Sequence, residues 1–249
     1  MIADAWSWLT TSAHWGGADG ILRRTVEHLD YTLLSVLIAA LIALPIGAVI
    51  GHTGRGSGFV AGMANVLRAL PSLGLLVIFA LWALDHLPVS VALQAASIAV
   101  LVLLAIPPIL TSTYAGIAAT DADARDAAAG MGMTGGQTLL RVEVPIALPL
   151  IFSGLRSAYL QAVATATIAA FVSLGGLGRY VLDGLAQHDY PKMVGGAVLV
   201  AVLAIVGDRV IAVVAYLVTS PGVTGRTRPG RRAASYSAPV PAAVQPEGS

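Results

Sequence analysis

Apolar residues run along this chain in long uncharged blocks rather than alternating with polar ones. A helix needs about 20 mostly apolar residues to cross a bilayer, because its backbone groups find no water there. Five blocks have that length, at about residues 31–51, 58–84, 88–117, 146–173 and 193–218. The second block contains Arg68 and Pro71, the fourth Arg156, and the fifth Asp208 and Arg209. The pattern predicts an all-α membrane protein of about five spans, with its termini on opposite sides. Pro45, Pro71 and the Pro107-Pro108 pair are expected to kink or interrupt their helices.

Before the spans, residues 1–28 look like an amphipathic segment, and no Lys or Arg precedes Arg23. A secretory signal begins with a positive stretch, so that reading fails. Trp6, Trp8 and Trp15 suit a membrane interface; a loosely ordered leader is the other reading. After the spans, residues 220–249 hold five prolines and four arginines with no apolar period, as a disordered tail would. The predicted organisation is therefore 1–28, a transmembrane domain 29–219, and the tail.

Composition narrows the class further. Hydrophobic residues make up 57% of the 249 and charged residues 11%, against about 25% charged in a soluble domain. Mean hydropathy is +0.81. Those numbers argue against a soluble globular enzyme. The net charge of +1 offers no field to attract nucleic acid. Cysteine is absent, so no disulfide framework exists. Lys and Arg orient the spans. Arg55, Arg125, Arg141, Arg226, Arg228, Arg231 and Arg232 fall on one side; Arg23, Arg24, Arg179 and Lys192 fall on the other. Seven against four puts the first set in the cytoplasm, with the N-terminus outside and the C-terminus inside.

The connection 120–145 is the one long polar loop. Its first half is Ala-rich with Asp121 and Asp123 at the positive end of the dipole, which predicts a short helix. Thr120 is the expected N-cap, and Asp121 is spaced to pair with Arg125. Gly130 and Gly132 should end this helix. Thr134 and Gln137 fit a capping box for a second one, and Pro145 and Pro149 should interrupt its passage into the fourth span.

This loop resembles the EAA loop of the integral-membrane subunits of bacterial ABC importers. That motif reads Glu-Ala-Ala, three residues, Gly, nine residues, Ile-x-Leu-Pro. Here Asp126-Ala127-Ala128 is followed, at the same spacing, by Gly132 and then Val142-Glu143-Val144-Pro145. Residues 127–134, 165–170, 174–178 and 65–73 further resemble the subgroup that imports glycine betaine, carnitine, choline and proline betaine. Methionine permeases share the loop spacing and a similar Gly-Gly-Leu-Gly turn. The resemblance covers about residues 25–218.

It implies a type I importer fold of the methionine-permease kind in the bacterial cell membrane. It also implies a second permease subunit, identical or related, an ATPase pair beneath and an extracytoplasmic binding protein above. Docking on the ATPase would use Asp126, Ala127, Ala128, Met131, Gly132 and Pro145, with Ala127, Ala128, Met131 and Gly132 on the exposed face. No catalytic residue, metal or cofactor is implied in this chain; ATP belongs to the partner.

Polar residues in the spans are candidates for a translocation pathway: Gln94, Ser97, Thr111, Tyr114, Gln161, Thr165, Thr167, Ser173 and Asp208. Each hydroxyl could instead bond a carbonyl one turn back. Arg68 and Arg156 are expected to snorkel. Asp208 and Arg209, about 100° apart on a helix, are poor partners for each other. Asp208 either meets an arginine of another span or lines the pathway. The few aromatic residues in the spans argue against a tight aromatic cage for a trimethylammonium group. The two GxxxG pairs, Gly47/Gly51 and Gly58/Gly62, serve either a dimer interface or packing within the subunit. A membrane-embedded enzyme finds no support: the five histidines lie near span ends or in loops, and neither HExxH nor GxSxG occurs. The absence of an internal repeat argues against an inverted-repeat secondary transporter.

Overall fold

The computed structural model describes residues 2–172 and 175–220. Among them the regular structure is helical: α1 (Ile2–Thr10), α2 (Ile21–Thr53), α3 (Ser57–Ala69), α4 (Ser72–His86), α5 (Val89–Ala118), α6 (Ala122–Gly130), α7 (Gly135–Thr138), α8 (Val144–Ala169), α9 (Gly178–Ala186) and α10 (Tyr190–Val218). A π turn, Leu139–Glu143, joins α7 to α8. The run from Gly135 to Val172 is therefore one continuous helical rod of 38 residues.

Among the described residues, four helices are long and apolar enough to cross a bilayer: α2, α5, the α7–α8 rod and α10. The expected second span, 58–84, is not one helix. Pro71 disfavours helical backbone at the residue before it, and Leu70 is extended there (φ −72°, ψ 132°). The chain breaks into α3 and the 15-residue α4. Pro45, Pro107, Pro108 and Pro149 are by contrast accommodated inside their helices. The expected interruption at Pro145 and Pro149 does not occur. The wider π turn ends just before Pro145, so a residue lacking an N–H falls where the bonding register has already changed.

α5 is the centre of the bundle, packed by α2, α8, α4 and α3. Its Val100, Leu101, Ala105, Ile109, Leu110 and Ile117 are fully buried. α2 meets it along Ser35, Ala39, Ala43, Gly47 and Gly51, each four residues from the next and so on one helix face. The backbones approach so closely that a Cβ on Gly47 would lie 2.9 Å from the Thr113 Cβ, and one on Gly51 2.6 Å from the Ile117 Cβ. The first GxxxG pair thus serves packing within the subunit. Gly58 and Gly62 face open space.

The N-terminal segment differs from the expected preface. α2 already begins at Ile21, and α1 packs on α10. Trp8 joins Ile21, Leu177, Tyr180 and Leu203 in a shared apolar cluster. Trp6 and Trp15 stay exposed.

Candidate functional site

The α5–α8 connection folds by local capping. Asp121 caps α6, accepting from the Asp123 N–H at 2.9 Å. The cap is thus one residue later than Thr120, which is buried with its hydroxyl unpartnered. At the far end the Met133 N–H reaches the Ala128 carbonyl and the Gly132 N–H reaches that of Ala129. This is the Schellman arrangement, and it needs a left-handed residue at Gly132, whose φ is +76°. The Thr134–Gln137 capping box forms in both directions and starts α7.

Asp126, Ala127, Met131 and Gly132 are exposed on this connection, Met131 at 71%. Ala128 departs from the expected exposed face: it is 1% exposed and turned inward, and its carbonyl is held by the cap. Pro145 is half-buried at the root of α8. Leu140, which the motif does not single out, is 69% exposed.

Arg125 does not pair with Asp121 as the spacing suggested. Its Nη2 donates to the Ile117 carbonyl at 2.7 Å. Its Nε lies 2.7 Å from the Glu143 Oε1, an ion contact not aimed well enough to be a hydrogen bond. The other Glu143 oxygen accepts from the His52 Nδ1 at 2.7 Å. Glu143 itself is 1% exposed. Sequence reasoning missed both Glu143 and His52. One occupies the unspecified position of the motif, and the other merely lies near a span end.

Within the spans, the back-bonding alternative holds for three hydroxyls. Ser97 bonds the Leu93 carbonyl, Thr111 that of Pro107 and Thr167 that of Val163. Thr165 is buried, Gln94 exposed, and Tyr114 and Gln161 half-buried. Asp208 meets an arginine of another span: Arg156 donates to it from Nε and Nη2, both at 2.7 Å. Arg156 is therefore a partner rather than a snorkelling side chain. The Arg68 side chain, Ser173 and the tail from 221 lie outside the described residues.

At the opposite end of the bundle, Glu27 gathers Arg23, Arg24 and the Gly176 N–H, while Arg24 also holds Asp19. Gly176 has φ +82°, and a Cβ there would press on His28 at 3.1 Å. Tyr180 donates to the Asp19 carbonyl at 2.5 Å; burial pushes its hydroxyl up to about 12, so it remains a donor. Trp8 stacks on His14 and meets Tyr180 edge-on. These rings line one open pocket together with Asp19, Asp189 and Lys192.

Comparison with known proteins fits this architecture. The glycine betaine/carnitine/choline transport system permease protein OpuCB of Bacillus subtilis is 36% identical over 82% of this chain and 91% of its own. The choline transport system permease protein OpuBB of the same organism is 35% identical over 82% and 90%. The osmoprotectant import permease protein OsmW of Salmonella typhimurium is 31% identical over 80% and 92%. An inward-facing structure of the MetNI methionine ABC transporter superposes with a TM-score of 0.70, covering 80% of this chain and 96% of that one, at 23% identity. That likeness establishes the fold, a type I importer permease. Residues 31–220 match the family described as the binding-protein-dependent transport system inner membrane component, and the chain belongs to that family of ABC importer permeases.

Proposed function

We propose that this chain is the subunit through which an ATP-driven importer passes quaternary-ammonium osmoprotectants such as glycine betaine, carnitine, choline and proline betaine. The observation that carries the substrate class is the identity of 36% and 35% to permeases named for these solutes, over nine-tenths of their length. The methionine reading rests on a shared loop spacing and turn and on a likeness of fold at 23% identity, which says nothing of substrate.

In this reading the exposed face of α6 around Asp126, Ala127, Met131 and Gly132 docks on a cytoplasmic ATPase. The N-terminus is then outside and the C-terminal tail inside. A second permease subunit completes the pathway, and an extracytoplasmic binding protein delivers the solute. Nucleotide biases the spans between two states, and only a difference in affinity for those states can do so.

Uptake of labelled glycine betaine tests the reading, in cells lacking their own systems and expressing this chain with its ATPase and binding protein. ATP-dependent uptake is expected, and Met131→Glu should reduce it at least tenfold by placing charge on the exposed docking face. Uptake of methionine but not of betaine, choline or carnitine overturns the substrate. Failure to assemble with any ATPase overturns the importer role.

A further inference from the structure

We infer that Glu143 is a positioning residue that, held to α6 by Arg125, ties the motion of α6 to span α2 through His52. The inference rests on the proposed docking of α6 to an ATPase.

A carboxylate that is 1% exposed is costly unless its charge and lone pairs are met. Packing alone would be served by an apolar side chain. Here the two oxygens are held from two different elements. Oε2 takes the His52 Nδ1, in the last turn of α2, at 2.7 Å. Oε1 faces the Arg125 Nε, in α6, at 2.7 Å. The same guanidinium holds the Ile117 carbonyl in the last turn of α5 at 2.7 Å. Glu143 is the last residue of the π turn that leads into α8. Three elements therefore meet at one carboxylate, and the Arg125 guanidinium brings in a fourth, α5. His52 is also wedged against the start of α7, where a Cβ on Gly135 would lie 3.3 Å from its Nε2.

α6 has nine residues, too few to hold a helix by itself, and most of its side chains are exposed. Arg125 is its polar reach into the bundle. A displacement of α6 cannot leave Arg125 behind without stranding a buried carboxylate. The displacement therefore carries Glu143, and Glu143 carries the end of α2. Contacts of this kind, shared by elements with two arrangements, are the physical form that coupling takes.

The test uses the assembled importer in lipid vesicles, with ATP hydrolysis and glycine betaine uptake read on the same sample. His52→Ala cuts the α2 link and leaves the Arg125–Glu143 contact. The expected result is continued ATP hydrolysis with betaine moved per ATP reduced at least tenfold. His52→Asn, whose amide can occupy the Nδ1 position, should restore the ratio to within twofold of the parent. Glu143→Gln, which keeps the shape and removes the charge, should fall between them. Uptake per ATP within twofold of the parent in His52→Ala overturns the inference. So does loss of assembly in both His52→Ala and Glu143→Gln, which would assign the cluster to folding. A parent complex that neither assembles nor takes up betaine fails the docking proposal itself, a separate result from any variant.

Discussion

The α2–α5 seam and the α8–α10 seam join helices of similar length by different means. Along α2 the buried stripe is made of small residues, and Gly47 and Gly51 bring two backbones into contact with Thr113 and Ile117. On α10 the buried residues are Gly195, Gly196 and Leu203. That helix is tied to α8 by the Tyr159 hydroxyl on the Leu203 carbonyl at 2.9 Å and by the Arg156–Asp208 pair. Lipid tails are as apolar as leucine, so neither seam gains from a hydrophobic drive between helices. One is held by shape over its whole length. The other is held at a few polar points, and its partners can be changed one at a time.

Substitutions should separate the two. Gly51→Leu should have the largest effect, because even its Cβ meets the Ile117 Cβ at 2.6 Å and the Tyr114 carbonyl at 2.9 Å. Overpacking of this kind costs about 1–3 kcal/mol where the backbone can shift, and here two backbones would have to part. The yield of monodisperse protein on size exclusion should collapse. Asp208→Ala should come next: the protein is made, but its thermal midpoint in detergent falls. The Arg156→Ala/Asp208→Ala double variant should recover part of that loss, since it leaves no charge unpaired. A double variant no better than the sum of the singles would break the idea of a paired seam. Tyr159→Phe should be mildest, about 0.6 kcal/mol, the average for a side-chain hydrogen bond between membrane helices. Its ring still packs on Gly207.

What the sequence made legible follows from what is local. The glycine end of α6 and the Thr134 capping box depend on neighbours within a few residues, and each was readable. The break at Leu70–Pro71 was visible as a proline but not as two helices, because the apolar block alone gives no depth. The partner of Asp208 lies 52 residues away, and no periodicity reports a contact at that separation. Glu143 was hidden for a further reason. A charged residue in a polar loop is ordinarily solvated, and only the fold reveals that His52, 91 residues earlier, closes over it. Ala128 was misplaced on the docking face because a short Ala-rich helix does not declare which of its alanines turns inward.

The π turn at Leu139–Glu143 bears on how this chain can change its length. Each residue added to or lost from an α-helix turns everything beyond it by about 100°. Within α8 that rotation would swing Gly154, Ala158 and Ala162 off their buried face. A π turn already holds one residue more than the regular turn it replaces. The chain can surrender that residue between 139 and 143 and close into plain α-helix while the span keeps its facing. Loss of one residue between Leu139 and Val142 is therefore a change of length this rod can take without turning its span.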